Sequence, residues 1–128
     1  MTGNVFDRPF RPTALAEEEI CTFALRAVGE QLTREEPFAE HGLASLTLVR
    51  SDRLTVQVTA ARSGHVCAEH VSQGPTTYVV LSGDLSIVDA RGTETRVEAG
   101  HLAAMPEGCA HRFKANLDTR FLTVIGQQ

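Results

Sequence analysis

The chain has no tryptophan and a single tyrosine, Tyr78, so stacked aromatics of the kind that hold unpaired bases are missing. Its 12 basic and 16 acidic side chains are interspersed and sum to −4, so there is no basic stripe either. Nucleic acid is therefore an unexpected partner. Cysteine is nearly as scarce: Cys21, Cys67 and Cys109 form an odd set with no Cys-x-x-Cys pair. That set fits neither a disulfide framework nor a structural zinc knuckle, and free thiols are expected. No apolar run reaches membrane-spanning length, and the opening residues MTGNVFDRPFRPT contain no apolar stretch of signal-peptide size. A soluble, cytoplasmic protein without membrane partners is the expectation. At 128 residues the chain is long enough for one core and too short for two.

What is present changes character along the chain. Pro9 and Pro12 argue for an extended arm at the start, able to reach a neighbouring subunit. From Thr13, a good N-cap, Glu17 to Glu19 fall in a first helical turn. Ile20, Phe23, Ala24, Ala27, Val28 and Leu32 then follow at helical spacing. The pattern predicts a helix, with Gly29 as a candidate break, then a short linker over 35–42. An N-terminal part, 1–40, and a β part, 41–128, together make one domain.

After Pro37 the period becomes two. Residues 43–50 read as a strand, and Leu54, Val56, Val58 and Ala60 alternate with Thr55, Gln57 and Thr59 in a second strand with one buried face. Further strands are expected at 66–71, 77–82, 84–89, 94–98, 102–105, 110–114 and 119–125. The breaks between them carry turn residues, as in Gly74-Pro75, Ser82-Gly83-Asp84 and Glu107-Gly108. Short strands at this cadence predict an all-β antiparallel sandwich or barrel.

Two stretches share a further pattern. The second, GHLAAMPEGCAH, places Pro106, Gly108 and His111 at fixed intervals from Gly100, so that a Pro-x-Gly turn aims an early histidine of the next strand. In the first, Gly64 is followed by His70, Ser72, Thr76 and Gly83. Together, over roughly residues 54–125, these spacings resemble the two sequence motifs of the cupin superfamily. The resemblance implies a double-stranded β-helix, the jelly-roll barrel of small single-domain cupins, with the N-terminal α-helix packed outside. It also implies that His70 and His111 point into one cavity. Metal-binding cupins carry a second histidine and a glutamate where this chain has Ser72 and Thr76, and the Asn that ends their second motif falls one step late here, at Asn116.

Two readings follow from the resemblance. In one, the barrel binds a small molecule near His70 and His111 without chemistry, the lost carboxylate leaving it open to neutral or anionic ligands. In the other, His70 and His111 hold a divalent transition metal (zinc, manganese, iron or nickel) in an oxygenase or isomerase acting on a small acid or sugar. Period-two geometry adds Cys109 to the face of His111 and Tyr78 to that of Thr76, while Glu69 is turned away from the face of His70. The candidate pocket is thus His70, Ser72, Thr76, Tyr78, Cys109, His111 and Phe113, with Arg112 and Lys114 facing outward. Cys67 and Cys109 read as small core side chains, and a thiolate at Cys109 next to His111 is the chemical alternative. His41, His65 and His101 sit beside glycines and read as solvated. Small cupins commonly pair through strand edges, so a homodimer is expected.

Overall fold

The computed structural model describes residues 10–15 and 20–126. Nine antiparallel strands form two sheets. Sheet A has the order β1(Leu43–Arg50), β2(Leu54–Ala61), β9(Thr119–Gly126), β4(Thr76–Ser82), β7(Leu102–Met105). Sheet B has the order β3(Val66–Val71), β8(Ala110–Ala115), β5(Asp84–Asp89), β6(Glu94–Glu98). From β2 to β9 the chain changes sheet at every step except the β5–β6 hairpin, which is the winding of a jelly roll. All nine expected strands are present, each within one residue of its expected ends.

Helices differ more from expectation. The first, α1(Leu25–Leu32), begins 12 residues after Thr13. Thr13 is instead bridged in parallel to Val49, its N–H donating to the Leu48 carbonyl and its carbonyl accepting from Arg50. This part of the arm lies along the chain's own edge strand β1, where it covers backbone groups that would otherwise face water. The expected acidic first turn, Glu17 to Glu19, lies outside the described residues, as do residues 1–9 of the arm. Ile20 is 90% exposed and outside the helix. Gly29 does not break α1; it lets the helix approach β9, because a Cβ there would sit 2.7 Å from Arg120 Cδ.

The expected linker over 35–42 contains a second helix, α2(Glu36–His41). Its signals are local ones: Pro37 in the first turn, then Gly42 in the left-handed conformation (φ 78°) as the stop, with the Arg62 guanidinium donating to the Phe38 and Ala39 carbonyls. Pro37, expected in the linker, begins this helix.

The core is in two layers. Between the sheets, Tyr78, Val80, Leu85, Ile87, Val97, Phe113 and Phe121 are buried together. Between sheet A and α1, Val28 and Leu32 pack on Leu46, Leu48, Val58 and Ala60. Each fully buried side chain of this size contributes about 1.5–3 kcal/mol. One buried face is expected for β2, and the strand has buried residues on both. Its apolar set, Val56, Val58 and Ala60, lies under the helix, so Thr55, Gln57 and Thr59 face the barrel. Register agrees: Gln57 pairs with Thr123, and Thr123 with Tyr78, and directly paired residues share a face. The inner wall therefore carries a polar row that ends at the single tyrosine.

Gly83 closes the β4–β5 corner at φ 94°, where a Cβ would press on the Asp118 carbonyl and lie 2.7 Å from Thr119 Cα. Gly64 has φ 89° and open space around it. Gly64→Ala should cost about 1–2 kcal/mol from the left-handed backbone alone, whereas Gly83→Ala should cost clearly more, since rigid backbone blocks the new methyl. Denaturant unfolding of both variants checks the order.

Candidate functional site

Strands β3 and β8 bring the two motif histidines together. Cys67 pairs with Phe113 and His70 with His111, so three steps on β3 match two on β8. The extra residue is a β-bulge, and it puts Cys67 and His70 on the same inward side although their odd separation in sequence would place them on opposite sides. Glu69 is exposed. The imidazole rings of His70 and His111 lie 4.2 Å apart, centre to centre, tilted by 59°.

Each ring is held through Nδ1 by a backbone carbonyl. His70 Nδ1 lies 3.2 Å from the Ala68 carbonyl, inside the bulge, and His111 Nδ1 lies 3.0 Å from that of Cys109. The Tyr78 hydroxyl then meets both Nε2 atoms, at 2.8 Å for His111 and 3.3 Å for His70. Phe113 and Phe121 close the floor in edge-to-face contacts at 5.3 Å, with Tyr78 against Phe121 at 5.7 Å. His111 is 1% exposed, whereas His70 is exposed.

Burial governs the electrostatics. It pushes Tyr78 up to about 12, with Cys67 and Cys109 adding to the effect when ionised, so the phenol keeps its proton at neutral pH. Burial also pushes the Cys67 thiol up, which agrees with a small core side chain. His111 is shifted down, first by burial and further by the charge of His70, against the opposing bond to the Cys109 carbonyl. It is held neutral. The Cys109 thiol is not its partner: that contact uses the Cys109 carbonyl, and the other ring nitrogen is bonded to Tyr78.

Ser72 and Thr76 are buried and turned to backbone. Ser72 gives both its N–H and its hydroxyl to the Cys109 carbonyl, each at 3.1 Å, so it braces the group that orients His111. The Thr76 hydroxyl donates to the Gly74 carbonyl at 2.9 Å. Arg112 and Lys114 are exposed on the far side of β8. Asn116 reaches Asp84 Oδ1 at 2.7 Å and Ser86 Oγ at 2.8 Å, joining an ion pair between Asp84 and Arg96. His41 and His101 are exposed, and His65 is half-buried with Nδ1 on the His41 carbonyl.

A cavity of about 230 Å³ adjoins His111. Its walls come from both sheets: Ile87, Asp89, Thr93 and Thr95 on β5, β6 and their turn, Ala103, Ala104, Met105 and Pro106 around β7, and Cys109 with His111. Of the expected pocket residues only Cys109 and His111 line it; His70 and Tyr78 pack beside His111 outside the lining, Phe113 packs on both of them, and Ser72 and Thr76 hold the backbone. The residues of β5–β7 were missed because their faces become inner faces only once the two sheets close.

No family sequence model matches the chain, and no curated protein matches it by sequence. Solved structures do. A cupin superfamily protein from Desulfitobacterium hafniense superposes with a TM-score of 0.70 at 17% identity, over 92% of this chain and 99% of its own. The fold is that of the cupins. KdgF from a Halomonas species aligns at 0.63 and 16% identity, covering 70% of this chain and 82% of its own. Salicylate 1,2-dioxygenase from Pseudoaminobacter salicylatoxidans aligns at 0.70 and 17% identity over 80% of this chain, which spans about a third (32%) of that enzyme.

The four-donor metal set of metal-binding cupins does not fit these residues. Two of its positions are hydroxyls already committed to backbone carbonyls, and among the described residues no group of three His, Cys, Asp or Glu side chains could hold an ion. The space between the two Nε2 atoms is occupied by the Tyr78 hydroxyl. Also among the described residues, no helix is long and apolar enough to cross a membrane.

Two outcomes test this description. Ser72→His with Thr76→Glu should raise divalent-ion affinity more than the two single changes combined, because each donor completes a shared shell; calorimetric titration with manganese, iron(II) or zinc reads the coupling. The second concerns pH. With His111 shifted down in the fold, the unfolded chain binds the extra proton first, so stability should fall as pH drops below the ordinary histidine value of about 6.5. His111→Gln should flatten that slope in urea unfolding at a series of pH values.

Proposed function

We propose that the chain binds a small molecule in its barrel near His70 and His111, at the cavity that His111 lines. The observation that carries this reading is the cavity itself: a concave, mostly apolar space with one neutral, fully oriented imidazole in its wall. Apolar walls with a few fixed polar groups are the usual makeup of small-ligand sites. At about 230 Å³ it is smaller than the ~300–1,000 Å³ of pockets for drug-sized ligands, which points to a compact ligand.

The barrel wall supports ligand orientation more than metal chemistry. The Cys109 carbonyl and the Tyr78 hydroxyl hold His111 before any ligand arrives, so little ordering remains to be done on binding. A homodimer remains part of the proposal, with edge strands as the contact.

Ala103 offers a direct test. It lines the cavity and pairs with Tyr78 across β4 and β7. Ala103→Leu should fill the space and leave the melting temperature within a few degrees of the parent. Compounds from a metabolite fragment collection that raise the parent's melting temperature should no longer do so in the variant. Ligands that bind both proteins equally would place the site elsewhere.

A further inference from the structure

The hydrogen-bond count around Tyr78 carries the argument one step further, and the step rests on the binding function proposed above. A backbone carbonyl can only accept. Since Nδ1 of His70 faces the Ala68 carbonyl and Nδ1 of His111 faces that of Cys109, the neutral form of each ring carries its proton on Nδ1. Both Nε2 atoms therefore present lone pairs, and both are aimed at one hydroxyl. Tyr78 has a single proton to give. The shorter contact, 2.8 Å, takes it to the buried His111, where an unmade bond would cost most. His70 Nε2 is left 3.3 Å from a phenol oxygen that faces it with lone pairs only, so this acceptor has no donor within the trio. Because His70 is exposed, a ligand can supply what is missing.

We infer that the ligand is a neutral hydroxyl compound, an alcohol or phenol, whose O–H donates to His70 Nε2, and that carboxylates are disfavoured at this position. The surroundings agree. The Tyr78 proton is committed to His111 Nε2, so the hydroxyl has no donor left for an anion. Arg112 and Lys114 are on the outer face of β8, and the neighbouring cavity holds Asp89 with no lysine or arginine in its lining. A carboxylate placed against the His70 Nε2 lone pair would meet an acceptor without a donor.

The experiment uses the full chain, isotope-labelled at the histidine nitrogens, at neutral pH, titrated separately with catechol and with benzoate. Before titration, both His70 and His111 should show the Nδ1–H tautomer. Catechol should move the His70 Nε2 resonance in the hydrogen-bonded direction and saturate about tenfold more tightly than benzoate, the worth of one bond made against one left unmade. In Tyr78→Phe, His111 Nε2 loses its donor, so catechol should move that resonance as well, a gain that a merely structural role for the tyrosine would not produce. An Nε2–H tautomer at His70 overturns the inference, as does benzoate binding of equal affinity, or silence of both probes in a folded sample. Catechol that shifts the Met105 methyl but leaves His70 unmoved would uphold the cavity and refute the donor bond. Stoichiometric binding of zinc by the parent chain, lost in His70→Ala, would refute it too.

Discussion

The site depends on the unequal pairing of β3 with β8. Two matched strands would place Cys67 and His70 on opposite faces, and the first-motif histidine could then share the barrel with its second-motif partner only at the cost of turning Cys67 out. One extra residue on β3 lets both face inward. The same bulge leaves the Ala68 carbonyl free to orient His70, so one irregularity sets both the position of the ring and its tautomer. On the opposite strand the Cys109 carbonyl does the corresponding work for His111, and it accepts from the Ser72 N–H and hydroxyl as well as from the ring. A carbonyl so fully used is rigid, and the imidazole that depends on it is rigid with it.

This changes the meaning of Ser72. Against the metal-binding cupin pattern it is a missing ligand, whereas in its own surroundings it is a brace. Thr76 closes a local turn through Gly74, and Tyr78, two residues on, occupies the point where the imidazoles converge. A phenol that keeps its proton up to about 12 is a neutral hydrogen-bond bridge at working pH. The two histidines thus converge on one hydroxyl, whose proton goes to His111, where metal-binding cupins organise theirs around an ion.

How much of this was legible in the residues depends on the range of the forces involved. The nine strands were legible because alternation and turn chemistry are local: Gly83 is required by the corner it turns, whatever lies beyond it. Tyr78 was legible by the same period, since it lies two residues from Thr76. The helices were harder. Thr13 has good capping chemistry, yet a free edge on β1 competes for the same backbone groups and takes them. Gly29 looked like a break because propensity carries no information on what packs nearby, and here Arg120 occupies the space that Gly29 leaves. The bulge in β3 left no mark in a sequence whose spacing counts residues without regard to pairing.

The least legible feature was the direction of β2. An alternating strand states that one face is buried without stating which layer buries it, and apolar residues were free to choose the helix or the barrel. Leu32, fully buried on the inner face of α1, settles the choice: with the helix on the outer face, Val58 and Ala60 must turn toward it. Thr55, Gln57 and Thr59 are left to the interior, alongside Thr123 and Tyr78. Buried hydroxyls and amides persist where hydrogen bonds repay their loss of water. The outer helix thereby determines the polarity of the inner wall.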